Sequence, residues 1–162
     1  MKGIKQEAGS SDCSAVVAAM ACETSVEDFK KFFGSDGGPY SELHVHLYCL
    51  FHNRIVGVGG SLYDGHVEGS EYACMIVMPL ENQPCILCVD SETIEGMMHM
   101  MYWDGVQIWD PNSKSEDGRE LSSYKIQRIF PVTKLEDPVF KVPVDSRRFL
   151  IRIFEDANFM EK

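Results

Sequence analysis

The sequence has no long hydrophobic run and comparatively few basic residues. Its most apolar stretches, residues 15–21 and 74–78, are far too short to span a bilayer. The N-terminal residues lack the apolar core of a secretory signal, which predicts a cytoplasmic protein. Lys and Arg number 15 against 25 Asp and Glu, for a formal charge of -10. Because such an acidic surface repels phosphate backbones, we expect neither nucleic acid nor membrane as a partner.

Internal repeats, low-complexity tracts and linkers are also missing from the sequence. Its 162 residues, 44% of them hydrophobic, are enough to bury a core. We therefore predict a single domain spanning residues 1–162. Helical patterns come first and strand patterns follow, and this segregated order favours an α+β fold.

Two helices are predicted near the N-terminus. Asp12 is a suitable N-cap for residues 13–22, a stretch that is rich in alanine and apolar on all sides, and is therefore expected to be buried. Ser25 and Asp28 have the spacing of a capping box, and Gly34 is placed to end this second helix.

A third helix is predicted to begin at Ser41 and to end near Phe51. Leu43, Leu47 and Leu50 recur along it at helical spacing. We expect these three leucines to form its apolar side.

Beyond residue 53 the pattern changes to strands. The predicted strands are Arg54–Val58, Ala73–Met78, Cys85–Val89, Met97–Trp103, Val106–Trp109, Lys125–Pro131 and Arg148–Phe154. Asp104-Gly105 is typical of a hairpin turn, and Gly59–Ser70 is predicted to be a loop or an irregular hairpin. The expected architecture is an N-terminal helical half packed on a C-terminal antiparallel sheet that forms a partly closed barrel.

Cys13 is the best candidate for a nucleophile. It lies in the first turn of the first predicted helix, directly after Asp12. A thiol there is close to the positive end of the helix dipole and to free backbone N–H groups, which favour thiolate over thiol. Because the thiolate is the reactive form, this position suits a nucleophile that a nearby histidine activates.

His99 is the best candidate for that base. It lies in an apolar, methionine-rich strand, where an imidazole is out of character. The hairpin would bring Asp110 close to it, and a carboxylate there accepts from one imidazole nitrogen and leaves the other for the thiol. Gln6, upstream of the nucleophile, would complete an oxyanion hole with the backbone N–H of Cys13.

These residues resemble a known enzyme family in their order and setting. Gln6, followed by Asp12-Cys13 and a helix of small residues, resembles the start of papain-like cysteine peptidases. The similarity is closest to the bacteriocin-processing peptidases and their relatives. His99 and the strand end Asp110-Pro111 also resemble the histidine strand and the later strand end of that group.

The resemblance covers roughly residues 5–21 and 95–112 and implies a papain-like fold. It implies these roles: Gln6 as the oxyanion residue, Cys13 as the nucleophile, His99 as the base and Asp110 as the orienting acid. Ser14 departs from the pattern, since the family commonly has glycine directly after the nucleophile.

Each of these residues also has an ordinary structural interpretation. Cys13 would be a buried core thiol, His99 a core histidine, Asp110 a turn former and Gln6 a loose terminal residue. Cys22, Cys49 and Cys74 lie in apolar segments and are expected to be buried free thiols.

A zinc site is a further alternative, because Cys85 and Cys88 have the spacing of a ligand pair and His44, His46 and His52 lie upstream. Residues three apart on a strand point to opposite faces, however, and zinc-binding pairs prefer turns. The zinc site is therefore the weaker prediction.

The sequence thus predicts a cysteine peptidase-like hydrolase that cleaves a peptide or isopeptide bond in a peptide or protein substrate, without a cofactor or metal. The alternative prediction is a catalytically silent papain-like module that captures a peptide or partner protein. Related acyl-transfer reactions would use the same residues, so the substrate stays open, as does the oligomeric state.

Overall fold

A computed structural model describes residues 3–8, 10–34, 40–57, 60–61, 82–92, 94–112, 114, 124 and 126–136. The helices are α1 (Cys13–Cys22), α2 (Val26–Phe33) and α3 (Glu42–Phe51). The strands are β1 (Arg54–Val56), β2 (Gly60–Ser61), β3 (Cys85–Asp90), β4 (Met98–Trp103), β5 (Ile108–Trp109) and β6 (Ile126–Lys134). The predicted strands Ala73–Met78 and Arg148–Phe154, and most of the predicted loop Gly59–Ser70, lie outside the described residues. The fold is α+β, as predicted.

The first two helices form where the sequence predicts them. In α1, every residue from Ser14 to Cys22 is buried. At the start of α2, the Ser25 hydroxyl accepts from the backbone N–H of Asp28 at 3.0 Å, and the Asp28 carboxylate accepts from the backbone N–H of Ser25 at 3.4 Å. Gly34 ends α2 with a φ of 69°, in the left-handed region that favours glycine. Apolar burial fixes α1, and the two caps fix α2.

The third helix also has the predicted range but buries a different side. Its buried residues are Val45, Leu47, Tyr48 and Cys49. Leu43 and Leu50 stay partly exposed, so the predicted apolar side is wrong for these two leucines. Tyr48 accounts for the difference, because its ring packs against Phe29 of α2 and its hydroxyl donates to Thr24 Oγ1 at 2.9 Å. An aromatic residue with both kinds of contact outweighs the leucine spacing.

The strands form an antiparallel sheet in the order β1-β6-β3-β4-β5, and β2 also pairs with β6. The central strand β3 has Cys85 opposite Trp103 of β4 on one side and Pro131 of β6 on the other. β6 continues to Lys134, beyond its predicted end. Over the described ranges the sheet is open, with β1 and β5 at its ends, so these strands do not make the expected partly closed barrel.

Both faces of the sheet are buried. The helices pack on one face and form the main core with residues that include Ile86 and Met100. Leu87 and Met101 belong to a second cluster on the other face, as strand alternation requires. Among the described helices, none has the length and apolar character needed to cross a membrane.

The hairpin between β4 and β5 has a longer loop than predicted. Residues 104–107 form the loop, and β5 has two residues instead of the expected four. Asp104 Oδ1 accepts from the backbone N–H groups of Val106 and Gln107 at 2.9 Å each, and its Oδ2 accepts from Trp109 Nε1 at 2.7 Å. Because Asp104 binds these two N–H groups, they belong to the turn and β5 starts later.

Candidate active site

Cys13 is the first residue of α1, and it is partly buried. Asp12 occupies the N-cap position before it, but the Asp12 side chain makes no hydrogen bond to the helix. Its Oδ2 instead accepts from Lys30 Nζ of α2 at 2.8 Å. Asp12 is thus the N-cap residue that the sequence predicts, but its side chain does not cap α1, because a tertiary partner takes the carboxylate.

The edge of β4 is open where the site forms. β5 pairs only with Tyr102 and Trp103, so within the described residues no strand covers β4 beside Met100 on that edge. The backbone N–H of Met100 forms a hydrogen bond with the Cys13 thiol instead. His99 and Met100 point to opposite faces of the sheet by strand alternation. The start of α1 thus meets the sheet at an edge, where the thiol reaches both the backbone of β4 and the His99 ring.

Asp110 follows β5 and holds His99. The distance from His99 Nε2 to Asp110 Oδ1 is 2.7 Å. The same carboxylate oxygen accepts from the backbone N–H of Asn112 at 2.9 Å, and Oδ2 accepts from the Tyr124 hydroxyl at 2.9 Å. Asp110 is only 4% exposed. A buried carboxylate with donors on both oxygens is held in one orientation, and so is the imidazole bonded to it.

Tyr124 is a site residue that the sequence did not indicate. It is buried in the second core cluster, a short distance before β6. Its hydroxyl reaches a carboxylate 14 residues earlier in the chain, and no short motif spans that separation. The one available signal was general: a buried aspartate needs hydrogen-bond donors, and a tyrosine near a core position is a common one.

The Cys13 thiol and the His99 ring are hydrogen-bonded to each other. Because Asp110 takes Nε2, Nδ1 is the nitrogen left for the thiol. Burial raises the pKa of Cys13, but the hydrogen bonds from His99 and from the Met100 backbone lower it below its ordinary value of 9.0. Burial lowers the pKa of His99, but the hydrogen bonds with Asp110 and Cys13 outweigh this and raise it to about 9. Both shifts favour a thiolate facing an imidazolium.

The other described cysteines are buried free thiols. Burial raises the pKa of Cys85 and of Cys88 to about 12. The Sγ atoms of Cys22 and Cys49 lie 3.7 Å apart, and this contact together with burial raises the pKa of Cys22. The prediction that Cys22 and Cys49 are buried and free is confirmed, while Cys74 lies outside the described residues.

Gln6 adjoins the site from the N-terminal segment. Its backbone N–H donates to the carbonyl oxygen of Pro111 at 2.8 Å, next to Asp110. Its side-chain Nε2 donates to the backbone carbonyl of Ser10 at 3.2 Å, and its Oε1 is buried with no hydrogen-bond partner in the described part of the chain. An amide nitrogen carries two hydrogens, of which Ser10 takes one. Gln6 therefore reaches the neighbourhood of Asp110, and its role in an oxyanion hole stays a prediction.

A cleft of about 300 Å³ opens beside His99 and Asp110. Other residues that line it include Gln6, Ser10, Asp90, Ile94 and Tyr124. Ile94 is 57% exposed and stands at the turn between β3 and β4. The volume is at the lower end of the range for ligand sites and suits a short segment of a larger molecule.

Among the residues that the structure describes, the candidate zinc ligands do not come together. Cys85 and Cys88 belong to different core clusters on opposite faces of the sheet. His44 Nδ1 accepts from the backbone N–H of Ser41 at the start of α3. In the ranges that the structure describes, no three or more His, Cys, Asp or Glu side chains are grouped to hold a metal ion.

Comparisons of the chain with protein-family models, with curated proteins and with solved structures found no match. Function is therefore inferred from the site itself. Of the four predicted residues, Cys13, His99 and Asp110 form one connected group. Gln6 lines the cleft beside His99 and Asp110 without a described contact to Cys13, which is not among the lining residues of that cleft.

At pH 7, iodoacetamide is expected to modify Cys13 faster than any other described cysteine. The pKa of Cys13 is lowered, and only thiolates react. The contact with Cys49 together with burial raises the pKa of Cys22, and burial raises the pKa of Cys85 and of Cys88. Site-resolved mass spectrometry over time measures the separate rates. The same reaction in urea is the control, because the cysteines of the unfolded protein should react at similar rates. Equal rates at Cys13 and Cys22 in the native protein would contradict the activated thiol.

Proposed function

We propose that the protein is a thiol hydrolase that cleaves a peptide or isopeptide bond through Cys13, His99 and Asp110. One observation carries this proposal: the His99 ring bonds at the same time to the Cys13 thiol and to the buried Asp110 carboxylate. A nucleophile, a base in contact with it and a group that orients the base are the parts that acyl transfer needs. The interpretation of Cys13 as a core thiol does not account for its lowered pKa.

A papain-like fold is part of the same proposal. Its support is the placement of the nucleophile on the first residue of a buried helix and of the base on an antiparallel strand packed against that helix. Asp110 directly follows β5, the next strand of the sheet. This is the layout that the sequence resemblance implies.

The proposed reaction begins with the attack of the Cys13 thiolate on a substrate carbonyl carbon. A C–S bond forms and the carbonyl oxygen takes the negative charge. The backbone N–H of Cys13 and the side-chain amide of Gln6 would bind this oxygen, the amide after turning away from Ser10. The His99 imidazolium gives its proton to the leaving nitrogen as the C–N bond breaks, so an amine departs and a thioester remains on Cys13. His99 then accepts a proton from the water that attacks the thioester. As the C–S bond breaks, the acid departs and the Cys13 thiolate again faces the His99 imidazolium.

A peptide or protein is the proposed substrate, and the cytoplasm is the proposed setting. The cleft beside His99 has a volume of about 300 Å³, which would hold a short segment of a chain. A thiol nucleophile must stay reduced, and Cys22 and Cys49 are free thiols although their sulfur atoms lie 3.7 Å apart. Both features suit a reducing compartment.

Incubation with a mixed peptide library at pH 7, followed by mass spectrometry, tests the proposal. We expect new peptide termini that are absent when Cys13 has first been blocked with iodoacetamide. Cys22→Ala is the matched control, because it removes a thiol from the other end of α1 and should leave cleavage intact.

A reactive Cys13 without any difference in cleavage between the native and the blocked protein would refute the hydrolase proposal. The alternative prediction, a papain-like module that captures a peptide or partner protein, would then take its place.

A further inference from the structure

Asp12 combines features that are unusual for an N-cap residue. It is 8% exposed and directly precedes the candidate nucleophile. Its backbone angles, φ -89° and ψ 13°, lie outside the extended region that capping residues usually adopt, and its carboxylate makes no bond to the first turn of α1. Lys30 Nζ lies 2.8 Å from its Oδ2 and so fixes the carboxylate towards α2.

A carboxylate at this place has two ways to disfavour a thiolate on the next residue. If the carboxylate capped the helix, it would occupy the backbone N–H groups of the first turn and offset the positive end of the helix dipole. Both of these stabilise a thiolate on the next residue. If it were merely unpaired, its negative charge would repel the thiolate charge across a short distance. An ion pair with Lys30 would counter both effects, since it engages Asp12 Oδ2 from α2 and balances the charge of the carboxylate.

We propose that Lys30 is a positioning residue for the Cys13 thiolate, which it supports by holding and neutralising the Asp12 carboxylate beside the start of α1. The inference rests on the proposed function, in which Cys13 is the nucleophile. It adds a second support to the thiolate, from α2, independent of the imidazole on β4.

The other charged and titratable groups around this pair belong to several elements. Those whose charges act on Lys30, besides Asp12, are Glu7 of the N-terminal segment and Tyr40 before α3. Those around Cys13 are His99 of β4, Cys88 of β3 and, behind His99, Asp110. Glu7 and Tyr40 carry no positive charge, so neither replaces Lys30 as the partner of Asp12.

The substitution Lys30→Gln removes the positive charge and keeps a long side chain that is well tolerated in a helix. The acid side of the pH–rate profile for Cys13 alkylation by iodoacetamide is expected to move to higher pH. At a fixed pH on that side the rate should fall roughly threefold to tenfold, the size expected when support of helix-dipole magnitude is lost. At the plateau the rate should match the wild type, because thiolate formation is complete there. Lys31→Gln is the matched control, an exposed lysine of the same helix that should shift nothing.

The double variant Asp12→Ala with Lys30→Gln separates positioning from general damage. It removes the carboxylate that Lys30 restrains, so the profile is expected to return to the wild-type position. Damage from loss of the ion pair would be at least as large in the double variant as in the single one. Thermal unfolding of each variant establishes that the comparison is made on folded protein.

Two outcomes separate this inference from the proposed function. If Lys30→Gln leaves the acid side of the profile in place while His99→Ala moves it, Lys30 has no positioning role and the proposed function stands. If neither variant moves the profile, Cys13 is not an activated nucleophile and both fail. A shift in Lys30→Gln that the double variant does not reverse also refutes the inference.

Discussion

Replacement of His99 with alanine is expected to lower peptide cleavage by about 100-fold to 10,000-fold, the usual contribution of a positioned acid–base group. Two effects add in this variant. The leaving nitrogen loses its proton donor, and the Cys13 thiol loses the hydrogen bond that offsets its burial. Without that bond the pKa of Cys13 should rise to its ordinary value of 9.0 or above, because burial remains and favours the neutral thiol.

The pH–rate profile of alkylation shows which effect is present, since iodoacetamide needs the thiolate but no proton donor. We expect the acid side of the Cys13 profile to move to higher pH in His99→Ala. His52→Gln is the matched control, because this imidazole lies at the end of α3 against Tyr48 and makes no described contact with Cys13. An unchanged profile in a folded His99→Ala protein would exclude His99 as the base.

Replacement of Asp110 with asparagine is expected to lower activity at alkaline pH, so that the protein is active over a narrower pH range. The pKa of His99 is about 9 because its hydrogen bonds to Asp110 and Cys13 outweigh burial. The neutral amide of asparagine stabilises the imidazolium less than the carboxylate does, while burial still favours the neutral ring. The pKa of His99 should therefore fall towards or below its ordinary value of 6.5. At pH 8 the imidazolium is then mostly lost, and cleavage should fall by more than about tenfold. An NMR titration of the His99 ring measures the pKa directly.

The same substitution has a stability signature with a definite sign. The folded pKa of His99 lies above its unfolded value, so the stabilisation is fully present below pH 6.5 and is lost as pH rises through about 9. The shift corresponds to roughly 3 kcal/mol of unfolding free energy at most. Urea unfolding should therefore show the largest loss for Asp110→Asn between about pH 5 and 6.5 and a smaller loss at pH 9.

Asp90→Asn is the matched control for both measurements. Asp90 is an exposed carboxylate in the same cleft, and it accepts from Gln127 Nε2 at 2.9 Å rather than from His99. This variant should leave the His99 pKa and the pH dependence of unfolding nearly unchanged. Equal behaviour of the two variants would show that general cleft charge, and not the Asp110 contact, sets the His99 pKa.

Local chemistry explains what could be predicted from the sequence. The caps of α2 use Ser25, Asp28 and Gly34, which all lie within ten residues of one another, so the pattern itself contains the contacts. The enclosed helix α1 followed from composition alone. Cys13 was indicated by its place at the start of a helix and His99 by its apolar strand, and the hairpin brings Asp110 to His99 as expected.

What the sequence did not indicate depends on partners that are distant in the chain. Asp12 has the composition of a cap, yet Lys30 takes its carboxylate from 18 residues away. Tyr124 bonds Asp110 across 14 residues without a motif. The length of β5 was overestimated because the side chain of Asp104 binds backbone N–H groups in the turn, a choice that strand propensity does not register.

The burial of α1 has a consequence for the durability of the site. From Ser14 to Cys22 this helix is enclosed by the core, and the candidate nucleophile is its first residue. Amides in such an element usually exchange with solvent only when the whole molecule opens. The geometry around the reactive thiol should therefore be lost only when the whole fold is lost. The working lifetime of the site is then set by the global unfolding rate, and changes in the core remote from Cys13 will act on that lifetime as strongly as changes beside it.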